Sequence, residues 1–484
     1  MKSFTKTKVA IQATVVGFGQ AGSRIADVFA SFKDSQGAPF YNCLALNSNQ
    51  GDLDELKYIP SVNRKSLDLG GLGKNPIKAM TILEEDEKVR DNFKTFIQEQ
   101  IRPKDDLVLF TAGLGGGTGT STVVKAIEEF YEFNNKPLLD KELTKIQEQI
   151  GDEKFQSALR DKKVRNKLIA KAHKNIEDKV KKIGVIVTLP LRADGPDTLK
   201  QVNEFTQRIW SLANNPLKGV AFVLFADNQY MYDRFKDLDG AVKQKNENYR
   251  DYVNNEIANV FHEMNSATTG GGTSVTFDAQ DFRRVLLENR GCLVINKKTM
   301  SIEGIREDML ESSIIDSMKD SLLHSPISLT IEENDQIRSA SIGHIGLLAV
   351  LDQEGKSKIG SSFLDDARIK IMENSEYALN GTVFSGYIDN VKNDRQSSIY
   401  TFYKTDGLPS RISMGLVNEY NEYKAAQKSI GHLNTSIQKI EDENEEEYEF
   451  DLGELDLLDT FGNDTEKNDK ESKSKEELLS ELFE

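Results

Sequence analysis

The residues of this chain best suited to chemistry are glycines and hydroxyls. Gly113, Gly115, Gly116, Gly117 and Gly119 stand with Thr118, Thr120 and Ser121 between two regular runs. Before them, Asp106–Phe110 reads as a buried strand; after them, Val123–Phe130 has apolar positions at helical spacing. Glycines there let the backbone approach a ligand closely, and the free amides at a helix N-terminus favour phosphate. Thr118, Thr120 and Ser121 are expected to add hydroxyl donors. No lysine stands in the loop, so it is not GxxxxGK[ST], and phosphate charge has to be met by amides, hydroxyls and a metal ion. A second loop, Gly17-x-Gly19-x-x-Gly22 with Gln20 and Ala21 inside it, has dinucleotide spacing, and alone it leaves NAD as an open reading. The apolar run Tyr41–Leu46 ends in Asn47, Ser48 and Asn49, and strand C-termini of open α/β sheets are where ligands bind. A third glycine loop holds Gly70, Gly71 and Gly73 before Lys74, Asn75 and Pro76. Three such loops behind three predicted strands describe one phosphate cradle. Asp278 and Asp281, three apart at the start of a predicted helix, read by default as capping carboxylates.

The elements that must position these residues belong to a chain of 484 residues, enough for two or three domains. Hydrophobic residues make up 38% and charged residues 29%, a globular mixture with room for a disordered segment. The net charge of −16 argues against general affinity for nucleic acid. No apolar run approaches a membrane span and Met1–Lys6 has no signal-peptide core, so a cytoplasmic protein with no membrane contact is expected. Cys43 and Cys292 lie in apolar strand-like runs and read as buried thiols. The five histidines form no ligand cluster, so no protein zinc site is expected. Residues 135–182 form a charged, mostly helical stretch with Phe155, Leu159, Val164, Leu168, Ile169 and Ala172 near helical spacing, read as an insertion. Its bland reading is a solvated helical hairpin; a docking surface for a neighbouring filament, an acidic tail or DNA is the alternative. Strands are predicted at Ile183–Pro190 and Gly219–Phe225, a long helix at Tyr249–Ser266, and further strands at Gly291–Asn296, Ser341–Leu351, Gly381–Ile388 and Ser397–Lys404. Residues 440–484 are acidic and expected to be disordered, with two short apolar clusters that suit folding onto a partner.

The order Gly-Gly-Gly-Thr-Gly-Thr resembles the signature of the tubulin/FtsZ superfamily of GTPases, with Ser121 where glycine is usual. The resemblance implies an α/β fold with a Rossmann-type GTP-binding domain over 9–240 and a central helix over 245–268. A smaller α/β second domain over 269–405 would follow a hinge at Thr268–Thr273, then a C-terminal helix over 406–439 and the acidic tail over 440–484. It implies GTP/GDP and Mg²⁺ as ligands. Gly19, Gln20, Ala21, Asn47, Ser48 and Asn49 would meet phosphates and metal. Gly73 and Asn75 would belong to the γ-phosphate-sensing loop, in which Lys74 replaces the usual glycine. Asp194, or Arg192, would meet the ribose, although the usual Glu-Gly-x-x-Arg is not reproduced. Asp227 or Asn228 would contact guanine or sugar. Tyr249 or Tyr252, with Asn254 or Asn255, would hold the base from the central helix. The stretch from Thr276 to Asp281 resembles the family's Asn-x-Asp-x-x-Asp loop, which makes Asp278 and Asp281 the catalytic pair that polarises water at the next subunit's nucleotide. Gly407-Leu408-Pro409 before a long polar helix resembles the TubZ branch of plasmids and phages. That branch implies head-to-tail filaments that segregate plasmid or phage DNA through a DNA-bound adaptor, without direct DNA contact. TubZ tails are basic where this one is acidic, which leaves recognition of an adaptor by charge unexplained. Three rivals stand beside this reading: an FtsZ-like division GTPase, a nucleotide-dependent oxidoreductase, and a non-enzymatic filament whose aspartates only cap.

Overall fold

The computed structural model describes residues 9–69, 72, 74–101, 105–238, 248–268, 277–301, 317–333, 336–351, 363–373, 378–389 and 396–433. Its strands are β1 (Ala13–Phe18), β2 (Asn42–Asn47), β3 (Arg64–Ser66), β4 (Leu107–Gly113), β5 (Lys182–Leu189), β6 (Val220–Asp227), β7 (Cys292–Ser301), β8 (Thr330–Glu333), β9 (Gln336–Ser339), β10 (Ser341–Leu351), β11 (Ala378–Leu379), β12 (Val383–Asp389) and β13 (Gln396–Thr405). Its helices are α1 (Gly19–Ser31), α2 (Gln50–Asp54), α3 (Pro76–Glu85), α4 (Glu87–Gln100), α5 (Gly117–Phe130), α6 (Lys136–Ile150), α7 (Asp152–Arg160), α8 (Lys162–Ile176), α9 (Pro196–Asn214), α10 (Asn228–Lys236), α11 (Tyr249–Ala267), α12 (Ala279–Leu287), α13 (Phe363–Glu373) and α14 (Leu416–Leu433).

The chain forms two compact units. The first, residues up to 138 with 177–423, carries the main sheet in the order β11-β10-β13-β7-β6-β5-β4-β1-β2-β3, with β12 also on β10. From β3 to β6 neighbouring strands are parallel, and β13 runs antiparallel between β10 and β7. Parallel strands need cover on both faces, and the side-chain alternation supplies it. Val16, Phe110 and Val185 join one core with Ile127 of α5 and Phe205 of α9; their chain neighbours Val15, Leu109 and Ile186 join the other with Phe29 of α1, Phe261 of α11 and Phe282 of α12. The strands predicted after Gly291 are present, and they extend the same sheet where Val223 of β6 faces Cys292 of β7. Both cysteines are buried.

α12 is locked in place by a buried lysine. The side-chain nitrogen of Lys404 on β13, out of reach of water, donates to the carbonyls of Leu286 and Asn289 at 2.9 Å, to Glu288, and to Ala221 of β6 at 3.3 Å. It thus serves the last turn of α12, where carbonyls lack helical partners. Burial holds its pKa well below the usual lysine range.

Among the described residues the second unit holds 139–176 and 424–433. Most of the charged stretch from 135 to 182 is helical, with α6, α7 and α8 inside it. Phe155, Leu159, Ala172 and Ile176 are buried, whereas Val164 is exposed and Leu168 and Ile169 are half-buried. α8 carries six lysines and arginines and no carboxylate. The predicted hinge beyond Thr268, residues 245–247, Thr276, Gly70, Gly71 and Gly73, the helix past 433 and the acidic tail lie outside the described residues.

Candidate functional site

The C-terminal ends of β1, β2, β4 and β5 bring most of the predicted ligand residues to one edge of the sheet. Gly19 opens α1 at φ +66°, and a side chain there would meet the Gly119 amide at 2.7 Å. The first two glycine loops therefore lie back to back, with Ala21 packed under Gly113. Gly116 caps α5 with open space where a Cβ would be, and Gly115 (φ +130°) faces Pro190 and Thr198. The first-turn amides of α5 and its dipole are presented to that opening.

Around the opening the side chains are mostly neutral. Ser48 Oγ and Thr118 Oγ1 lie 2.8 Å apart, joining the end of β2 to the first turn of α5. Thr120 donates to Gly116 O at 2.6 Å. Ser121 departs from expectation: it is fully buried and donates to Gly117 O at 2.9 Å, because a helical serine bonds readily to the carbonyl four residues back. Its hydroxyl does not face the cradle. Asn47 accepts from the Ser48 amide and donates to Asp52 at 2.8 Å, and Gln20 donates to the other oxygen of Asp52 at 3.3 Å. Asn49 N-caps α2, which puts Asp52 in the first turn. That cap was the signal for Asp52, which sequence reading passed over. Asn75 N-caps α3 and its backbone lies against Gly117. Asp194 accepts from the Leu191 amide at 3.0 Å and faces the Lys74 ammonium at 3.6 Å.

Asp278 and Asp281 stand at the other edge of the sheet. Asp278 N-caps α12, accepting from the Gln280 and Asp281 amides at 2.8 and 2.9 Å, while Asp281 accepts from the Asp278 amide at 3.3 Å. The default capping role is therefore present. Arg283, one turn further on, makes two 2.7 Å bonds to Asp106 and a 3.1 Å bond to Ala10 O. Those partners precede β4 and β1, whereas the cradle follows the same strands. The seven residues of β4 span roughly 20 Å. Within one chain the aspartates and the cradle are held apart by the length of the sheet. Burial raises the Asp281 carboxyl, against the hydrogen bond from the Asp278 amide, which lowers it.

No family model matches the chain. It is 24% identical over 285 residues to the tubulin-like protein TubZ of Bacillus cereus, covering 57% of this chain and 53% of that protein. It is 32% identical over 127 residues to the tubulin-like protein CetZ of Pyrococcus abyssi, covering 25% and 33%. The chain thus spans about half the length of the TubZ relative and a third of the CetZ relative. In three dimensions the likeness is longer: a GDP-form protofilament structure of Bacillus thuringiensis serovar israelensis TubZ superposes at TM-score 0.61 and 19% identity, covering 88% of this chain and 95% of that one. The chain has the tubulin/FtsZ fold.

The residues expected on the base side of the cradle are placed as follows. Asp227 is buried, caps α10, and binds Arg411 at 2.6 Å. Its Oδ1 is thereby taken up inside the protein by Arg411 and by the Gln229 and Tyr230 amides. Asn228 is half-buried as the first residue of α10. Tyr252 turns inward, buried, with its ring 5.4 Å from Phe235, and Asn254 is buried beside it; Asn255 is half-buried. Tyr249 instead lies at the start of α11: burial raises its phenol, and the charge of Asp194 contributes. Arg411 was not foreseen, since its partners Pro190 and Asp227 lie some two hundred residues away along the chain.

Proposed function

We propose that the chain binds GTP and Mg²⁺ at the cradle, assembles head to tail, and hydrolyses GTP where one subunit's Asp278 and Asp281 meet the cradle of the next. The observation that carries this reading is the placement of the aspartates and the cradle at opposite ends of β1 and β4. A single chain cannot bring them together, and a translated second copy can.

Gly19, Gly116, Gly117 and the first-turn amides of α5 would hold the phosphates, with Ser48 and Thr118 as hydroxyl partners. Asp194 would meet the ribose, with Tyr249 as the aromatic for the base. Among the described residues no three His, Cys, Asp or Glu gather closely enough to hold a metal ion alone. The residues fit Mg²⁺ in the way that ion usually binds, through one carboxylate and the substrate's own phosphates; Asp52, steadied by Asn47 and Gln20, is that carboxylate. When bound, the ion would neutralise phosphate charge. The incoming Asp278 and Asp281 would accept hydrogen bonds from the attacking water and orient it.

The tubulin-like relatives TubZ and CetZ and the TubZ protofilament structures support self-association into filaments; a cytoplasmic location belongs to the same proposal. Segregation of plasmid or phage DNA through a DNA-bound adaptor is the cellular role that fits a TubZ-like filament.

The test is GTP turnover per molecule against protein concentration, with light scattering in parallel. Turnover should be near zero below a threshold and rise with scattering. Asp278→Ala should still scatter while losing at least about a hundredfold in turnover, the lower end of what a positioned acid–base group contributes. Constant turnover per molecule from dilute solution upward would sink the shared-site reading.

A further inference from the structure

Lys74 is out of place by the rules of its own backbone. Its φ is +61°, a left-handed conformation that strains a residue with a side chain and costs a glycine almost nothing. Glycine is also what the resemblance leads one to expect there. Among the described residues nothing local offsets that cost. The side chain is 63% exposed, and its ion pair there, 3.6 Å to Asp194, is of the solvent-exposed kind that contributes little.

The surroundings supply a reason for a cation. The opening at α5 is lined by the neutral donors Ser48, Thr118 and Gly116, and the charged groups beside it, Asp52 and Asp194, are both negative. Arg192, on the same loop as Asp194, is drawn away to Glu419 and Glu422 of α14. Lys74 directly precedes Asn75, whose backbone N and O come within 3.3 Å of where a Cβ on Gly117 would be. Its chain therefore leaves the backbone at the N-terminus of α5, where a polyphosphate would lie.

We infer that Lys74 is a specificity-determining cation for the triphosphate. It pairs with Asp194 when no terminal phosphate is present, and exchanges that partner for the γ-phosphate when one is. It supplies the positive side chain that the central glycine loop lacks, and Asp194 is then released toward the ribose. This inference rests on the GTP reading given above.

The measurement is the affinity of the full-length chain for GDP and for a non-hydrolysable GTP analogue, both with Mg²⁺ and below the assembly threshold. Four proteins are compared: wild type, Lys74→Gly, Lys74→Arg and Lys74→Gln. Lys74→Gly relieves the backbone and should fold. It is expected to keep GDP affinity and lose about tenfold for the triphosphate, the loss shrinking at high salt. Lys74→Arg should retain most of the preference; Lys74→Gln, which keeps the backbone cost, should behave as Lys74→Gly does. An unchanged triphosphate-to-diphosphate ratio in Lys74→Gly, or an equal loss for both nucleotides, would overturn the inference and leave the GTP reading standing. A wild-type chain that binds neither nucleotide overturns both.

Discussion

His324 is sealed in the interior with Nδ1 2.8 Å from the carbonyl of Ser325, and burial pulls its pKa down to about 4. In the unfolded chain an imidazole titrates near 6.5. Between those two values the unfolded state binds a proton that the folded state refuses, so stability is full above about pH 6.5 and falls as pH drops toward 4. Denaturant midpoints should show a loss of about 2 kcal/mol from this group between pH 7 and pH 5. A His324→Gln chain should lack that component of the slope; an unchanged slope would mean that the imidazole titrates alike in the folded and unfolded chain. The same sensitivity to single side chains separates what could be read in the cradle from what could not. Glycine dictates backbone freedom by itself, so Gly19 and the Gly113–Gly119 loop were legible in sequence. Asp227 was recognised as a polar strand end, but its role depends on Arg411, and no local pattern announces a partner 184 positions away.

At the scale of elements, the buried Val, Ile, Leu and Phe runs announce β1, β4, β5 and β6, because a strand covered on both faces has little choice of composition. β3 is three polar residues and β11 only two, and neither carries a signal of its own. The join between α14 and the loops of the cradle edge was equally invisible. Arg411 is 7% exposed and holds Pro190 O at 2.8 Å, Asp227 at 2.6 Å, and both oxygens of Glu419 at 3.1 and 3.0 Å. Burial alone lowers its pKa, but Glu419 and Asp227 outweigh that and hold the guanidinium above its ordinary value. Tyr423 adds a 2.8 Å bond to Arg192 O. Removing one member of such a buried set costs roughly 3–5 kcal/mol, because the remaining charge loses a partner. Asp227→Asn should therefore lower the melting temperature and speed amide exchange across Leu416–Tyr423 more than across α5. Equal protection in both helices would show that α14 is held by its apolar contacts instead.

For the whole molecule, the decisive relation is between the two edges of the sheet. α12 is tied below β1 and β4 by Arg283, and α11 is tied there by Asn265, which exchanges hydrogen bonds with Ile11 at 2.7 and 2.9 Å. The cradle lies above the same strands. If the site is shared, two inactive proteins should repair each other. Asp278→Ala has an intact cradle and no water-orienting pair; Gly19→Val has the pair and, with a clash at the Gly119 amide, no cradle. Mixed, they should regain turnover that neither shows alone, since some junctions join the two intact halves. Turnover that stays absent in a mixture shown by sedimentation to co-assemble would place the chemistry within one chain. The Arg283–Asp106 tie has one more consequence in the proposed assembly. A string of copies completes one site fewer than it has members, so the member whose cradle is uncovered keeps its triphosphate. Time since joining is then written along the string, oldest where the nucleotide is spent and youngest at that single unserved end.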